Sequence, residues 1–198
     1  MKVLVVGGTG LIGAGVAQAL AAKHEVIVAS RSSEVSVDLN DPTSIAAMFS
    51  QVGKIDAVVS AAGHVPFNNL TDLTRDDFVH GITDKALGQI ELAQQAIANL
   101  TDGGSITLMS GILARSPIKT GAVAAAANGA VESFVIAAAI EMPRSIRINV
   151  VSPTVLVEAK GYHDYFPGFP QVTLKQVSDA YIRAVDGWDN GAVYKLDA

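Results

Sequence analysis

Short aliphatic runs punctuate the chain at regular intervals. Val3-Leu4-Val5-Val6 is apolar without alternation, the pattern of a strand buried on both faces of a parallel sheet. Comparable runs recur at 25–29, 35–39, 56–60, 105–109, 146–151 and 192–196. The stretches between them, at 11–22, 43–51, 75–80, 83–100, 121–142 and 174–185, read as helices. Strand and helix in strict alternation predict an α/β fold: one doubly wound parallel sheet of about seven strands with helices on both faces. No linker, repeat or low-complexity segment divides the 198 residues, so a single domain is expected.

The segment 121–142 departs from a one-sided stripe. It contains alanine at 124–127 and again at 137–139, and its apolar positions surround the axis. In a chain this small, the second apolar side points to another subunit. A homo-oligomer, dimer or tetramer, is expected through 83–100 and 121–142, with a fully enclosed core helix as the alternative.

Composition narrows the function classes. The chain is 49% hydrophobic and 17% charged, which excludes disorder. Its net charge of −5 leaves no basic face for nucleic acid. The absence of cysteine removes disulfides and thiolate chemistry and fits a cytoplasmic setting. None of the four histidines (His24, His64, His80, His163) has a partner at metal-ligand spacing, so no metal is expected. The apolar stretch 3–22 is long enough for a leader or membrane span. However, Gly7, Gly8, Gly10, Gly13 and Gly15, with Thr9 and Gln18, suit a strand, a tight turn and a helix instead. A soluble protein with no membrane partner follows.

That turn, Gly7-Gly8-Thr9-Gly10-Leu11-Ile12-Gly13, sits between the first strand and the first helix. Glycines there allow close backbone approach, and amides converging at a helix start suit a pyrophosphate. A dinucleotide is the expected ligand; an idle structural turn is the alternative. After the second strand, where an acidic residue would accept from a ribose 2′-hydroxyl, the chain has Ser30-Arg31-Ser32-Ser33. Arg31 and Ser32 suit a 2′-phosphate, so NADP(H) is expected over NAD(H), with nearby Glu34 arguing the other way.

These segments resemble the short-chain dehydrogenase/reductase family along essentially the whole chain, which implies a Rossmann-type fold. Val37-Asp38-Leu39-Asn40 is similar to the family's segment beside adenine, and Ser60-Ala61-Ala62-Gly63 to its N-N-A-G element without the asparagines. Residues 105–110 resemble the strand that delivers a catalytic serine, and 146–153 the I-R-V-N-x-V-x-P-G strand, with Thr154 in the glycine position. The final segment 191–197 also matches. The resemblance implies cofactor contacts from Gly7, Thr9, Gly10, Leu11, Ile12, Gly13, Arg31, Ser32, Asp38, Leu39, Ala61, Ala62, Gly63 and Pro153.

The same resemblance exposes a gap. The family's proton-carrying tyrosine and its lysine fall at Ala124 and Asn128, and no tyrosine precedes Tyr162. The family's asparagine on the preceding long helix falls at Lys85, as though lysine and asparagine had exchanged helices. Ser110, Lys85 and Asn128 are therefore the candidate catalytic residues, with Ser116 as a substitute serine. The missing proton donor is sought among Tyr162, His163, Tyr165 and His64. Two functions remain open: an oxidoreductase acting on a small carbonyl or alcohol, and a dinucleotide-binding sensor or scaffold without turnover.

Overall fold

A computed structural model describes residues 1–197. Seven strands form one parallel sheet: β1 (Lys2–Val6), β2 (Glu25–Ser30), β3 (Val35–Ser36), β4 (Ile55–Ser60), β5 (Leu100–Met109), β6 (Arg147–Pro153) and β7 (Val193–Leu196). Their order is β3-β2-β1-β4-β5-β6-β7. The helices are α1 (Leu11–Leu20), α2 (Pro42–Val52), α3 (Arg75–Ile82), α4 (Gly88–Asn99), α5 (Ala122–Ala138) and α6 (Leu174–Asp186).

Alternation along β1 shows how the sheet is covered. Val3 and Val5 join Val16, Leu20 and Tyr181 beneath α1 and α6. Leu4 and Val6 face the other way, toward Ile45 of α2, Leu92 of α4 and Val131 of α5. All four β1 side chains are essentially inaccessible to water, as the unalternating sequence run requires. The chain runs outward from β1 to β3 and then returns to β4 on the other side. Ligands of open α/β sheets bind in the crevice at the carboxyl ends of strands flanking such a reversal.

Local chemistry fixes three of the six helix starts. Asp41 caps α2 ahead of Pro42, and Thr74 with Asp77, then Thr173 with Gln176, form capping boxes on α3 and α6. No side chain caps α1, α4 or α5, and α1 and α5 also have no acidic residue in the first turn.

Several boundaries differ from the sequence reading, β5 among them, which begins at Leu100 and not at 105. The run 35–39 pairs only over Val35–Ser36, because the chain turns away where Asp38 accepts from the Asn40 amide (3.0 Å). The helix expected over 83–100 opens with a π turn at Thr83–Leu87, where the Gly88 N–H reaches the Thr83 carbonyl. This turn joins α3 to α4 without a break. The helix expected over 121–142 ends at Ala138 and gives way to turns before Pro143. On its outer side, Ile136 and the following Ile140 are exposed.

Candidate active site

The β1–α1 turn is built by contact with neighbouring backbone. Gly7 has φ +80°, and a Cβ on it would lie 2.9 Å from the Ala61 carbonyl carbon. A Cβ on Gly13 would lie 2.1 Å from the Gly7 carbonyl oxygen, so only glycine lets α1 settle on the turn. Gly10, by contrast, faces open space beyond a 3.5 Å contact. The amides at the uncapped start of α1 thus remain available to an anion, where the helix dipole also favours one.

Around this turn lies a cleft of two chambers that share Gly10, Ala61 and Gly63. The first, about 310 Å³, is lined by Gly7, Thr9, Arg31, Ser32, Asp38, Leu39 and Ala62 among others. Ser30 shapes the strand end beneath Arg31: its Oγ accepts from the Ser32 amide (3.1 Å) and donates to Ser33 Oγ (3.1 Å). Arg31 has no hydrogen-bond or ion-pair partner among the described residues. Glu34 does not line the chamber. Asp84 spans its rim, accepting from the His64 amide (2.7 Å) and from Asn40 Nδ2 (2.8 Å). His64 lines this chamber and not the second.

The second chamber, about 490 Å³, opens between the ends of β4, β5 and β6 and is walled by apolar side chains such as Ile112, Leu113 and Phe166. Leu11, Ile12 and Pro153 line it; of the sequence-derived cofactor residues, Gly13 alone lines neither chamber. Lys85, Ser110, Ala124 and Asn128 all line the second chamber. Lys85 comes from the π turn and crosses Gly63, whose Cβ would lie 2.6 Å from the Lys85 Cδ. The residue is 9% exposed, and its ammonium has no hydrogen-bond or ion-pair partner among the described residues. Burial pushes its pKa down to about 8, against the opposing pull of Asp84. Asn128, 7% exposed, turns its Nδ2 toward Gly111, where a Cβ would sit 3.3 Å away, and is likewise unpartnered.

Ser110 is tied into a network of its own. Its Oγ donates to Glu132 Oε1 (2.7 Å), which also accepts from Ser152 Oγ (2.6 Å). Arg115 donates to Ser152 Oγ (2.7 Å) and Ser152 O (3.0 Å) and pairs with Asp197 beyond β7. Thus α5, β6 and the chain beyond β7 together hold the serine.

The remaining proton-donor candidates scatter. Tyr162 lines the second chamber. Tyr165 packs on Phe67 (ring centroids 5.9 Å apart), and His163 Nε2 bonds the Leu156 carbonyl (2.9 Å). Neither of these lines the cleft, nor does Ser116. No cluster of three or more His, Asp or Glu suited to a metal occurs among the described residues. None of their helices is long and apolar enough to cross a membrane.

Three functional residues escaped the sequence reading. Glu132 and Arg115 are two. The third is Gln89, fully buried on α4, which donates to the carbonyls of Lys85 (2.9 Å) and Met109 (2.8 Å). Its Oε1 accepts from the Met109 amide (2.9 Å), so one side chain sets the π turn against the strand end preceding Ser110. A polar residue one turn after Lys85, beside the apolar face Leu92–Ala93–Ala96, was the available signal.

A family model described as enoyl-(acyl carrier protein) reductase matches residues 6–186. Versicolorin reductase 1 of Dothistroma septosporum is 30% identical over 166 residues, which cover 78% of this chain and 63% of that protein. The chain thus spans less than two thirds of that relative's length. The crystal structure of the protein lin1944 from Listeria innocua is 46% identical, with a TM-score of 0.97 and 98% of each chain covered. A small-chain dehydrogenase crystallised in complex with NADPH is 28% identical, with a TM-score of 0.89, covering 100% of this chain and 96% of its own.

Proposed function

The chain belongs to the short-chain dehydrogenase/reductase family, and from that premise we propose that it binds NADP(H) across both chambers and exchanges hydride with a small carbonyl or alcohol. The residues present fit that cofactor. Uncapped α1 amides beside Gly10 suit the pyrophosphate, and Arg31 with Ser32 suits a 2′-phosphate. Asp38 and Leu39 line the first chamber and suit an adenine, and Lys85 with Asn128 line the second and suit the ribose beside nicotinamide. The likeness to an NADPH-bound dehydrogenase supports NADP(H) over NAD(H).

When bound, the cofactor supplies the hydride chemistry. The chain's residues then have three tasks. The apolar walls exclude water around the reacting carbon. Asn128 donates to the substrate oxygen, and Ser110 Oγ, its hydrogen held by Glu132, accepts from that oxygen when the substrate is an alcohol. Lys85 carries the proton that a phenol at the Ala124 position would have carried, since its pKa of about 8 suits exchange near neutral pH. One observation carries this reading: the buried, unpartnered Lys85 ammonium at the wall of the cavity.

NADPH consumption over a panel of ketones, aldehydes and quinones tests it. Slow turnover that Lys85→Met abolishes is the expected result. NADPH that binds and is never consumed would transfer support to the second reading, a dinucleotide sensor or scaffold, which the methyl group of Ala124 favours. We also propose that the exposed Ile136 and Ile140 and the neighbouring helical rod pack against a second copy, since isolated apolar patches of this kind mark interfaces. Light scattering of an Ile136→Glu/Ile140→Glu variant would then report a monomer.

A further inference from the structure

A carboxylate can only accept hydrogen bonds, so the geometry around Glu132 decides what Ser110 can offer. Ser110 Oγ gives its one hydrogen to Glu132 Oε1 at 2.7 Å. Ser152 also gives its hydrogen to Oε1, while accepting from Arg115. Arg115 Nη1 stands 3.7 Å from the same oxygen, which keeps positive charge beside the carboxylate. The other hydroxyl at this end of the cavity is committed in the same way: Thr154 Oγ1 donates to the Pro170 carbonyl at 3.0 Å. Both hydroxyls therefore retain only lone pairs for a molecule in the cavity. The groups with free hydrogens in the chamber are the Lys85 ammonium, the Asn128 amide and the Tyr162 phenol, none of which tells a hydroxyl oxygen from a carbonyl oxygen as acceptor.

We infer that Glu132 is a positioning residue that turns Ser110 into a hydrogen-bond acceptor, so that the second chamber selects apolar hydroxyl compounds over the matching ketones. This rests on the reading of that chamber as the substrate end of the cleft. Lys85 and Asn128 do not discriminate, because a hydroxyl oxygen accepts from them as a carbonyl does. Only the hydroxyl compound can also donate to Ser110. A ketone oxygen placed there would meet lone pairs, with no hydrogen between them. One additional hydrogen bond of ordinary strength corresponds to a preference of about fivefold. The apolar walls select the rest of the ligand: a compact hydrocarbon body with few other polar groups.

Ligand-observed NMR titration of 1-phenylethanol and acetophenone, with and without NADPH, reads the preference without requiring turnover. The wild-type protein should bind the alcohol about fivefold more tightly than the ketone. Ser110→Ala should bring the two affinities together by weakening the alcohol. Glu132→Ala frees the serine hydrogen and should strengthen the ketone relative to the alcohol. Ser110→Ala removes a single oxygen, so it remains informative if Glu132→Ala fails to fold. A ketone preference in the wild type, a preference unchanged in Ser110→Ala, or no binding of either compound would overturn the inference. NADPH affinity, read in the same titrations, judges the proposed function separately.

Discussion

In the first chamber, the ligand-facing groups include the backbone of the glycine turn at Gly7 and Gly10, beside the side chains of Arg31, Ser32 and Asp38 on the strand ends. In the second, they are side chains delivered by four different elements, with Lys85 from the π turn, Ser110 from the end of β5, Asn128 from α5 and Tyr162 from the segment after β6. Backbone recognition depends on residues that are absent, chiefly Cβ atoms, and so tolerates little substitution. Side-chain recognition depends on how elements dock, so roles can migrate from one helix to another. The lysine facing the cavity here reaches it from the helical rod opposite the one on which the family places it. The difference makes the glycine turn sensitive to added Cβ atoms and the second chamber sensitive to how its helices dock.

The strongest way to break this contrast is Gly13→Val. Its Cβ would lie 2.1 Å from the Gly7 carbonyl oxygen, so the turn must open. The expected outcome is loss of NADPH binding by calorimetry together with a folding penalty of about 3 kcal/mol in urea.

Lys85→Met should spare the first chamber and alter the second. In the folded protein Lys85 titrates near 8, below its ordinary 10.5. Between those values the native state has released a proton that the unfolded chain still holds, so stability rises with pH through that window. Below it, the penalty for burying the charge is present in full. Lys85→Met should therefore remove the rise and stabilise the protein at neutral pH by on the order of 3 kcal/mol. Chemical denaturation at about pH 7 and about pH 10 checks both signs. NADPH affinity should fall about tenfold in the same variant, the loss of one charge-assisted bond.

Arg31→Ala acts on the first chamber alone. It should reduce the preference for NADPH over NADH about tenfold at low salt, less as salt screens the exposed guanidinium. The smallest expected effect is a control. Tyr181 donates to the Ser60 carbonyl (2.8 Å) beneath the sheet, and burial pushes its phenol pKa far up. Tyr181→Phe should cost about 1 kcal/mol of folding stability and leave cofactor affinity unchanged.

The legibility of the sequence follows the same division. Runs of β-branched and aliphatic residues marked every strand of the sheet, most cleanly at residues 3–6, where both faces are buried and no polar position interrupts the run. The glycine turn was visible because its chemistry is local. Lys85 and Asn128 were placed at the cavity by the resemblance to the family, whose asparagine and lysine positions they occupy. The π turn could not be placed, since it arises where Gln89 locks the Lys85 carbonyl to β5, a contact between residues far apart in sequence. The Ser110–Glu132–Ser152–Arg115 network was hidden for the same reason. The loop after β6 divides: Tyr162 lines the second chamber, whereas Tyr165 packs on Phe67 and His163 bonds a backbone carbonyl. Trp188, 93% exposed, lies beside Arg147 at the amino-terminal edge of the sheet and is no reporter of the cleft.

Calorimetric titration of NADPH into the protein addresses the central claim most directly. Saturable heat with one site per chain, weaker for NADH and abolished in Gly13→Val, is the result expected of a pyrophosphate held at the start of α1. The absence of heat with either nucleotide at millimolar concentration would contradict it.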